Sequence, residues 1–423
     1  MKPFKKLKQA ITWVETRNKF SPKKDLLRIS SALLKMNLTN DFKKIHIAGT
    51  NGKGSTASFI SNILVKNGLR VGTFTSPYLI RFNERIKMNM VEISDDKLLD
   101  YLNYMYLFNQ EFISSFGESL VFFEIMTLIS LKYFNDMKCD VVVMEVGIGG
   151  LLDATNILNY DLSIITNIGF DHMKQLGNSL EEIAENKLGI IKEKNHLITY
   201  VDKSLFDLFK ESIDKKHASV HFLSSEKYNI ISFNPLKFLY KGVDYEISLK
   251  GDFQVKNAIL SINAVSYLYP DIRSDIIKGG LLEAKNPGRF EVIANNPITI
   301  IDGAHNIHGI EALVEGLRNY TDKKISVIFC ALRDKNPQTM INKLKTISDN
   351  IVITDFKDPR VMNVLELVIN DPSLTYINGI NKAYKYVKSS SDLSDIILIT
   401  GSIHFIGYVK KKLKVKMQKT STI

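Results

Sequence analysis

A short β-type run, KKIHIAG (Lys43–Gly49), passes directly into Thr50-Asn51-Gly52-Lys53-Gly54-Ser55 and then into TASFISNILVKNG. In that last segment Ala57, Ile60, Ile63 and Leu64 recur at helical spacing, and Gly68 follows as a stop signal. No other feature constrains the fold as much, because strand, glycine loop and helix in succession are the context that a phosphate-binding loop requires. Glycines let the backbone wrap an anion and turn N–H groups inward beside the positive end of the helix. Lys53 supplies a point charge for terminal phosphates, and Ser55 a hydroxyl near a metal. The spacing is shorter than the common GxxxxGK[ST], and an extra glycine follows the lysine. Gly49, Thr50, Asn51, Gly52, Lys53, Gly54 and Ser55 are therefore read as an ATP site rather than a plain surface turn.

The rest of the chain repeats the alternation. RVGTFTS (Arg70–Ser76) reads as the next strand, and DKLLDYLNYMYLFNQEF and SLVFFEIMTLISLKYF as helices. DVVVMEVG (Asp140–Gly147) and DLSIITNIG (Asp161–Gly169) read as buried strands ending in glycine, followed by shorter mixed strands such as HLITYV and VDYEISLKG. A second alternation starts at PITIIDGAH and runs through GIEALVEGLRNY, KKISVIFCAL, NIVITDF, NKAYKYVKSS and DIILITGS. Such alternation predicts α/β domains built on mainly parallel sheets. Two asparagines and a proline at Ala294–Pro297 place the expected boundary there, giving domains 1–294 and 295–423. A length of 423 residues accommodates both.

Composition removes several classes. The longest uncharged stretch near the end, Ile396–Val409, falls short of the ~20 apolar residues of a membrane span and contains His404. MKPFKKLKQAITWVETRNK has no apolar core before Glu15 and Arg17, so no signal peptide is read there. The only cysteines, Cys139 and Cys330, each border apolar runs and are expected to be buried free thiols. A cytoplasmic location follows. The formal charge of +11 suits an anionic partner, whether nucleic acid, a membrane surface or a small acidic substrate. The C-terminal KKKLKVKMQK is read as a solvated basic helix end.

Two further clusters carry chemistry. Glu145 ends DVVVM before Gly147, Gly149 and Gly150, Asp171 and His172 follow IITNIGF, and Ser76 ends its own strand. Polar groups at the carboxyl ends of parallel strands face the ligand crevice of an open α/β sheet. Ser76, Glu145 and His172 could hold a Mg²⁺ that keeps some of its waters. In the second domain Asp302-Gly303-Ala304-His305-Asn306 follows the strand PITII, with Asn257 (GDFQVKN) and Arg289 (NPGRF) upstream. A strand-end Asp can bind a ribose hydroxyl, and an Arg can neutralise phosphate. A nucleotide held by both domains would account for that division of groups.

IHIAGTNGKGS, TSPYLIRFNERI, VVVMEVGIGG, DATN, TNIGFDHMKQLG, NKLGIIK, GDFQVKN, NPGRFE, IDGAHN and ITGS occur in this order. Together they resemble the folylpolyglutamate synthase/dihydrofolate synthase family of the Mur ligase superfamily, from about residue 40 to residue 407. The resemblance implies a P-loop NTPase-like N-terminal domain, a smaller Rossmann-like C-terminal domain, and an ATP-dependent amide ligase joining L-glutamate to reduced folates through an acyl phosphate. Carried over motif by motif, it implies Gly49–Ser55, Asn257, Arg289 and Asp302 for ATP, and Ser76, Glu145 and His172 for Mg²⁺. It implies Lys53 and His305 near the transferred phosphate, and Lys187 as a carbamylated lysine serving a second Mg²⁺. Arg81, Phe82, Glu124 and Asp153 are implied at the folate, within and around a Ser76–Ile86 loop that also holds Asn83, Glu84 and Arg85. A monomer without nucleic-acid or membrane partners is expected.

Two departures bear on the substrate. Family members that also accept dihydropteroate carry Arg-Leu-Asp after the EVGxGG glycines, where this chain has Leu151-Leu152-Asp153. They also carry an early Thr-Ile-Asp-type segment, where this chain has Ser21-Pro22-Lys23-Lys24-Asp25-Leu26-Leu27-Arg28. Folylpolyglutamate synthase is the favoured reading, with dual activity next. A P-loop GTPase would need Asn-Lys-x-Asp, and Asn186-Lys187-Leu188-Gly189 lacks the Asp. A cell-wall Mur ligase shares the phosphoryl chemistry, but FNERI and DGAHN favour the folate branch.

Overall fold

The computed structural model describes residues 3–18, 25–320 and 323–413, so Ser21–Lys24 of the early segment and the chain beyond Leu413 lie outside the described residues. The chain divides into two compact units: residues 1–229, 239–248 and 256–285, and residues 230–238, 249–255 and 286–423.

The first unit carries an eight-stranded sheet of β1 (Lys43–Ala48), β2 (Val71–Phe74), β3 (Ile86–Met88), β4 (Val91–Glu92), β5 (Val141–Glu145), β6 (Leu162–Ile165), β7 (His196–Thr199) and β8 (Ser219–Phe222). Their order is β4-β3-β2-β5-β1-β6-β7-β8. β2, β5, β1, β6, β7 and β8 run parallel, while β3 and β4 close one edge antiparallel. β2 lies to one side of β1 and β6 to β8 to the other, so the winding direction reverses about β1. In such sheets that reversal opens the ligand crevice at the strands' carboxyl ends.

Burial explains the strand composition. VVVME of β5 is buried at every position, the pattern of a parallel strand covered on both faces. Met144 and Val142 join the core under helices α1 (Leu7–Glu15), α2 (Leu27–Met36), α4 (Asp95–Phe116) and α5 (Phe122–Asp136). Ala48, Val146 and Ile165 join the opposite core with Ala184 and Leu188. The intervening helix α3 (Lys53–Lys66) has Ser55–Ser61, Ile63 and Leu64 buried, so it runs through the interior instead of over the surface.

A three-stranded sheet of β9 (Tyr228–Phe233), β10 (Leu236–Tyr240) and β11 (Val243–Ile247) comes next in sequence, in the order β11-β10-β9. The second unit is built on β12 (Glu291–Asn295), β13 (Ile298–Asp302), β14 (Ile325–Phe329), β15 (Asn350–Ile353), β16 (Thr375–Tyr376) and β17 (Ile396–Thr400), ordered β12-β13-β17-β14-β15-β16. Five of these strands run parallel and β12 pairs antiparallel with β13. The Asn-Asn-Pro break read as a boundary is the turn of the β12–β13 hairpin within this unit, because the break in periodicity marks a reversal of the chain. Among the described residues no helix is long and apolar enough to cross a membrane. Cys139 and Cys330 are buried free thiols, as expected, and burial pushes both pKa values up.

Candidate active site

The glycine loop leaves β1 at the centre of the sheet, and α3 begins at Lys53 with Gly52 as its N-terminal cap. Gly52 has φ 85°, and a Cβ there would stand 2.4 Å from Asn257 Oδ1. Glycine is therefore required twice, by the left-handed backbone and by the approach of Asn257. The same approach brings Asn257 to the loop. Lys53, Gly54 and Ser55 occupy the first helical turn, whose amides have no carbonyl four residues back to bind. Lys53 Nζ folds over the loop, donating to the carbonyls of Gly49 (2.8 Å) and Thr50 (3.2 Å).

The loop is braced by the segment after β6. Thr50 N donates to the Asn167 carbonyl (3.1 Å), and Asn51 N to Asn167 Oδ1 (3.0 Å). Thr166 Oγ1 (2.6 Å) and Asn167 Nδ2 (3.0 Å) donate to the Asn51 carbonyl. Thr166 and Asn167 received no role from the sequence, although both lie in the TNIGF motif. A strand-end Thr-Asn opposite a glycine loop was the available signal.

Two of the three strand-end residues meet. Glu145 is buried, and its Oε2 accepts from Ser76 N at 3.0 Å, which joins two of the expected metal-binding residues. His172 adopts φ 51° just before helix α6 (Met173–Leu176). Its amide donates to Asp171 Oδ1 (2.8 Å), and its Nε2 lies 3.9 Å from Asp171 Oδ2. Among the described residues no three His, Cys, Asp or Glu side chains cluster as a ready-made cage. A hydroxyl, a carboxylate and an imidazole on separate strand ends fit a Mg²⁺ that also takes waters and phosphate oxygens.

Lys187 ends helix α7 (Leu180–Leu188) with only 3% of its surface exposed. Burial, reinforced by the positive charge of Lys53 and opposed by Asp171 and Asp153, lowers its pKa to about 7. Deprotonation of this amine is thus far easier than that of an exposed helix lysine.

The Ser76–Ile86 loop is held from within. Glu84 accepts the amides of Leu79 (2.7 Å), Ile80 (2.8 Å) and Arg81 (2.6 Å), and Asn83 Nδ2 donates to the Ile93 carbonyl (2.7 Å). Arg81 is half-exposed and pairs with Asp95 (2.7 Å) and Glu92 (3.4 Å). Phe82 is buried and lies 5.7 Å from the ring of Tyr78. The Arg85 guanidinium sits over the rings of Tyr78, Phe122 and Phe82 at 5.1, 5.3 and 5.7 Å. Burial lowers its pKa to about 10.

Two residues expected at the folate are already engaged. Glu124 is buried against Arg28, whose Nε and Nη2 lie 2.9 and 3.0 Å from its carboxylate oxygens. Asp153 Oδ2 accepts the amides of Gly147 (3.0 Å) and Ile148 (3.1 Å), while Oδ1 accepts Thr155 N (3.0 Å) and Oγ1 (2.6 Å). Asp153 thereby shapes the glycine turn two residues beyond Glu145. Leu151 and Leu152, at the departure from the family pattern, are exposed.

In the second unit Asp302 is also buried. Its Oδ1 accepts Ala304 N and its Oδ2 accepts Phe290 N, both at 2.7 Å, so one carboxylate joins the NPGRF and DGAHN segments. Burial raises its pKa, with Arg289 opposing. His305 Nδ1 lies 3.0 Å from the Gly303 carbonyl, which only accepts, so the proton is on Nδ1. Arg289, Asp302 and His305 are brought together around this turn.

The Mur ligase middle domain family matches residues 111–265, and the Mur ligase glutamate ligase domain family matches residues 288–403. A dihydrofolate synthase/folylpolyglutamate synthase of Bacillus subtilis is 36% identical, over 97% of this chain and 100% of the relative. Mycobacterium tuberculosis folylpolyglutamate synthase, solved with ADP and AMPPCP, superposes with a TM-score of 0.88 at 26% identity, over 97% of this chain and 99% of that one. The bifunctional folylpolyglutamate synthase/dihydrofolate synthase of Yersinia pestis, solved with AMPPNP and a Mn ion, gives 0.86 at 26% identity, over 97% and 98%. With both family domains in order along its length and a 36% identical relative matched from end to end, the chain belongs to the dihydrofolate synthase/folylpolyglutamate synthase family of Mur ligases.

Proposed function

We propose that the protein adds L-glutamate to the γ-carboxylate of reduced folates, using ATP and an acyl phosphate. The observation that carries this is the glycine loop on the same sheet as the part-buried contact of Glu145 with Ser76, with a buried Lys187 whose pKa falls to about 7.

The folate carboxylate attacks the γ-phosphorus, the new P–O bond replaces the β–γ bridging bond, and ADP departs. The first-turn amides of α3 and Lys53 hold the phosphates in line, and the Arg289 charge offsets the negative charge building on the moving phosphoryl group. Asn257 closes on Gly52 beside the nucleotide. Asp302 orders the turn that carries His305, close to the transferred phosphate. The glutamate amine then attacks the acyl carbon, a tetrahedral intermediate collapses, the C–O bond breaks and phosphate leaves. Ser76, Glu145 and His172 would hold a Mg²⁺, and Lys187, once carbamylated, would serve a second; such ions would supply positive charge to offset that of the phosphates. The neutral Lys187 amine can add to CO₂ and lose a proton, which turns repulsion from Lys53 into attraction. Arg81, Phe82, Glu124 and Asp153 border the folate, the last two by shaping their loops. The enzyme acts as a cytoplasmic monomer.

Purified protein is expected to release ADP only when a reduced folate and L-glutamate are both present. Turnover with a muropeptide and none with folates would overturn the assignment. A second reading, dual activity, is favoured by the Bacillus subtilis relative, whose name carries both functions. Dihydropteroate in the same assay separates the two: turnover selects the dual enzyme, and its absence marks Leu151 as a substitution that matters.

A further inference from the structure

The C-terminal lysine run begins differently from the way its composition reads. Lys410, its first member, ends up 2% exposed in the helix Ile403–Lys412, whereas Lys411 and Lys412 are not buried. Its ammonium meets both carboxylate oxygens of Glu291 at 2.6 and 2.7 Å. Glu291 Oε2 also accepts the Gly288 amide at 2.7 Å. A buried ammonium is costly unless it is paired and hydrogen-bonded, and an apolar side chain of similar volume fills such a position as well or better. A pair retained there points to geometry rather than stability.

That geometry converges on one residue. Arg289 stands between Gly288, held by Glu291 and Lys410, and Phe290, whose amide donates to Asp302 Oδ2 at 2.7 Å. The Gly288 carbonyl accepts the Gly303 amide at 2.8 Å, tying the same turn to the DGAHN segment. Phe290 has φ 44°, a left-handed conformation that a bulky side chain adopts only where its surroundings impose it. Arg289 Nη1 would lie 3.2 Å from a Cβ on Gly303, so its guanidinium is carried over that turn.

We infer that Lys410 and Glu291 are positioning residues for Arg289, fixing the turn so that its guanidinium meets the nucleotide phosphates in one orientation. The inference rests on the proposed role of Arg289 toward ATP. Lys410 reaches no phosphate itself; it holds the carboxylate that holds the turn.

The test is steady-state kinetics on the full-length enzyme, varying ATP and L-glutamate separately, for K410M, E291Q, K410R and R289A, and for K410M combined with R289A. K410M and E291Q are expected to raise KM for ATP by roughly 10- to 100-fold, the scale of an ångström-level misplacement. KM for glutamate should stay within about twofold, and K410R, which keeps the charge and can meet both Glu291 oxygens, should recover most of the loss. In the R289A background K410M should add nothing further, because the two changes act on one interaction. A lower melting temperature with unchanged KM for ATP in K410M and E291Q overturns the inference, as does an equal K410M effect with and without Arg289. Should K410M not fold, E291Q and K410R decide on their own. If R289A leaves KM for ATP unchanged, the nucleotide role of Arg289 has failed; if R289A raises it and E291Q does not, only the positioning inference has failed.

Discussion

Two turns prepared for anionic chemistry are built by opposite means. The Gly49–Ser55 loop is contiguous, enters from β1, leaves into α3, and is braced by backbone and amide contacts from Thr166 and Asn167. The Gly288–Phe290 turn is held by two carboxylates, Asp302 on one side and the adjacent Glu291 on the other, the latter anchored by the sequence-distant Lys410. The first relies on glycine freedom and on donors within or beside the loop, Lys53 among them; the second relies on ionic side chains packed behind the turn. A motif of the first kind can be read from the chain, while the second exists only once the chain has folded.

The contrast can be broken most directly at Lys53. Lys53→Ala should lower kcat/KM by roughly 10²–10³-fold, the usual scale for removing one transition-state donor, with the thermal transition unchanged. Near-native ADP release would remove the phosphate role of the first turn.

Next in size is Asp302→Asn, which places an NH₂ group where either Phe290 N or Ala304 N now donates. A buried donor left unsatisfied costs about 1–3 kcal/mol, so chemical denaturation should show a loss of that size. An unchanged midpoint would mean that the second turn does not depend on its carboxylate.

Gly52→Ala sharpens the same comparison from the other side. A Cβ at φ 85° and 2.4 Å from Asn257 Oδ1 should cost about 1–2 kcal/mol and weaken nucleotide binding, measured by denaturation and titration calorimetry. Gly303→Ala should be milder, since its φ is unexceptional and its nearest neighbour is the flexible Ile403 Cδ1 at 2.7 Å. Equal losses would erase the distinction between a conformational glycine and a merely crowded one.

A test of a different kind is the pH response of Lys187. Its folded pKa near 7 lies below the ordinary 10.5, so between those values the unfolded chain holds a proton that the folded chain lacks. Its contribution to stability therefore rises with pH across that window and is lost as pH falls through 7. Carbamylation needs the neutral amine, so the mass gain of one CO₂ should titrate in near pH 7; titration near 10 would contradict the burial of Lys187.

Particular residues show where sequence reading stopped. Alternating apolar runs and helical spacings predicted α/β domains because burial periodicity is written locally. Ser76 and Glu145 were legible as strand-end groups, and they do meet. Glu124 and Asp153 were legible as polar residues near a site, but not that Arg28 and a glycine turn would engage them. The run KKKLKVKMQK promised solvated charge, and composition could not reveal that Lys410 enters the interior against Glu291. The break at Ala294–Pro297 looked like a linker, because a hairpin turn and a linker use the same residues.

By itself, then, the sequence determined the strand–loop–helix, the parallel α/β layering and the order of the family motifs. Each depends on neighbours within a few residues, where backbone geometry and side-chain period act directly. Only tertiary structure decided which carboxylates are consumed internally, that burial lowers the Lys187 pKa, and that Lys410 leaves its basic run to meet Glu291. Those outcomes depend on desolvation and on partners far apart in the chain, quantities that exist only when the chain is folded around them.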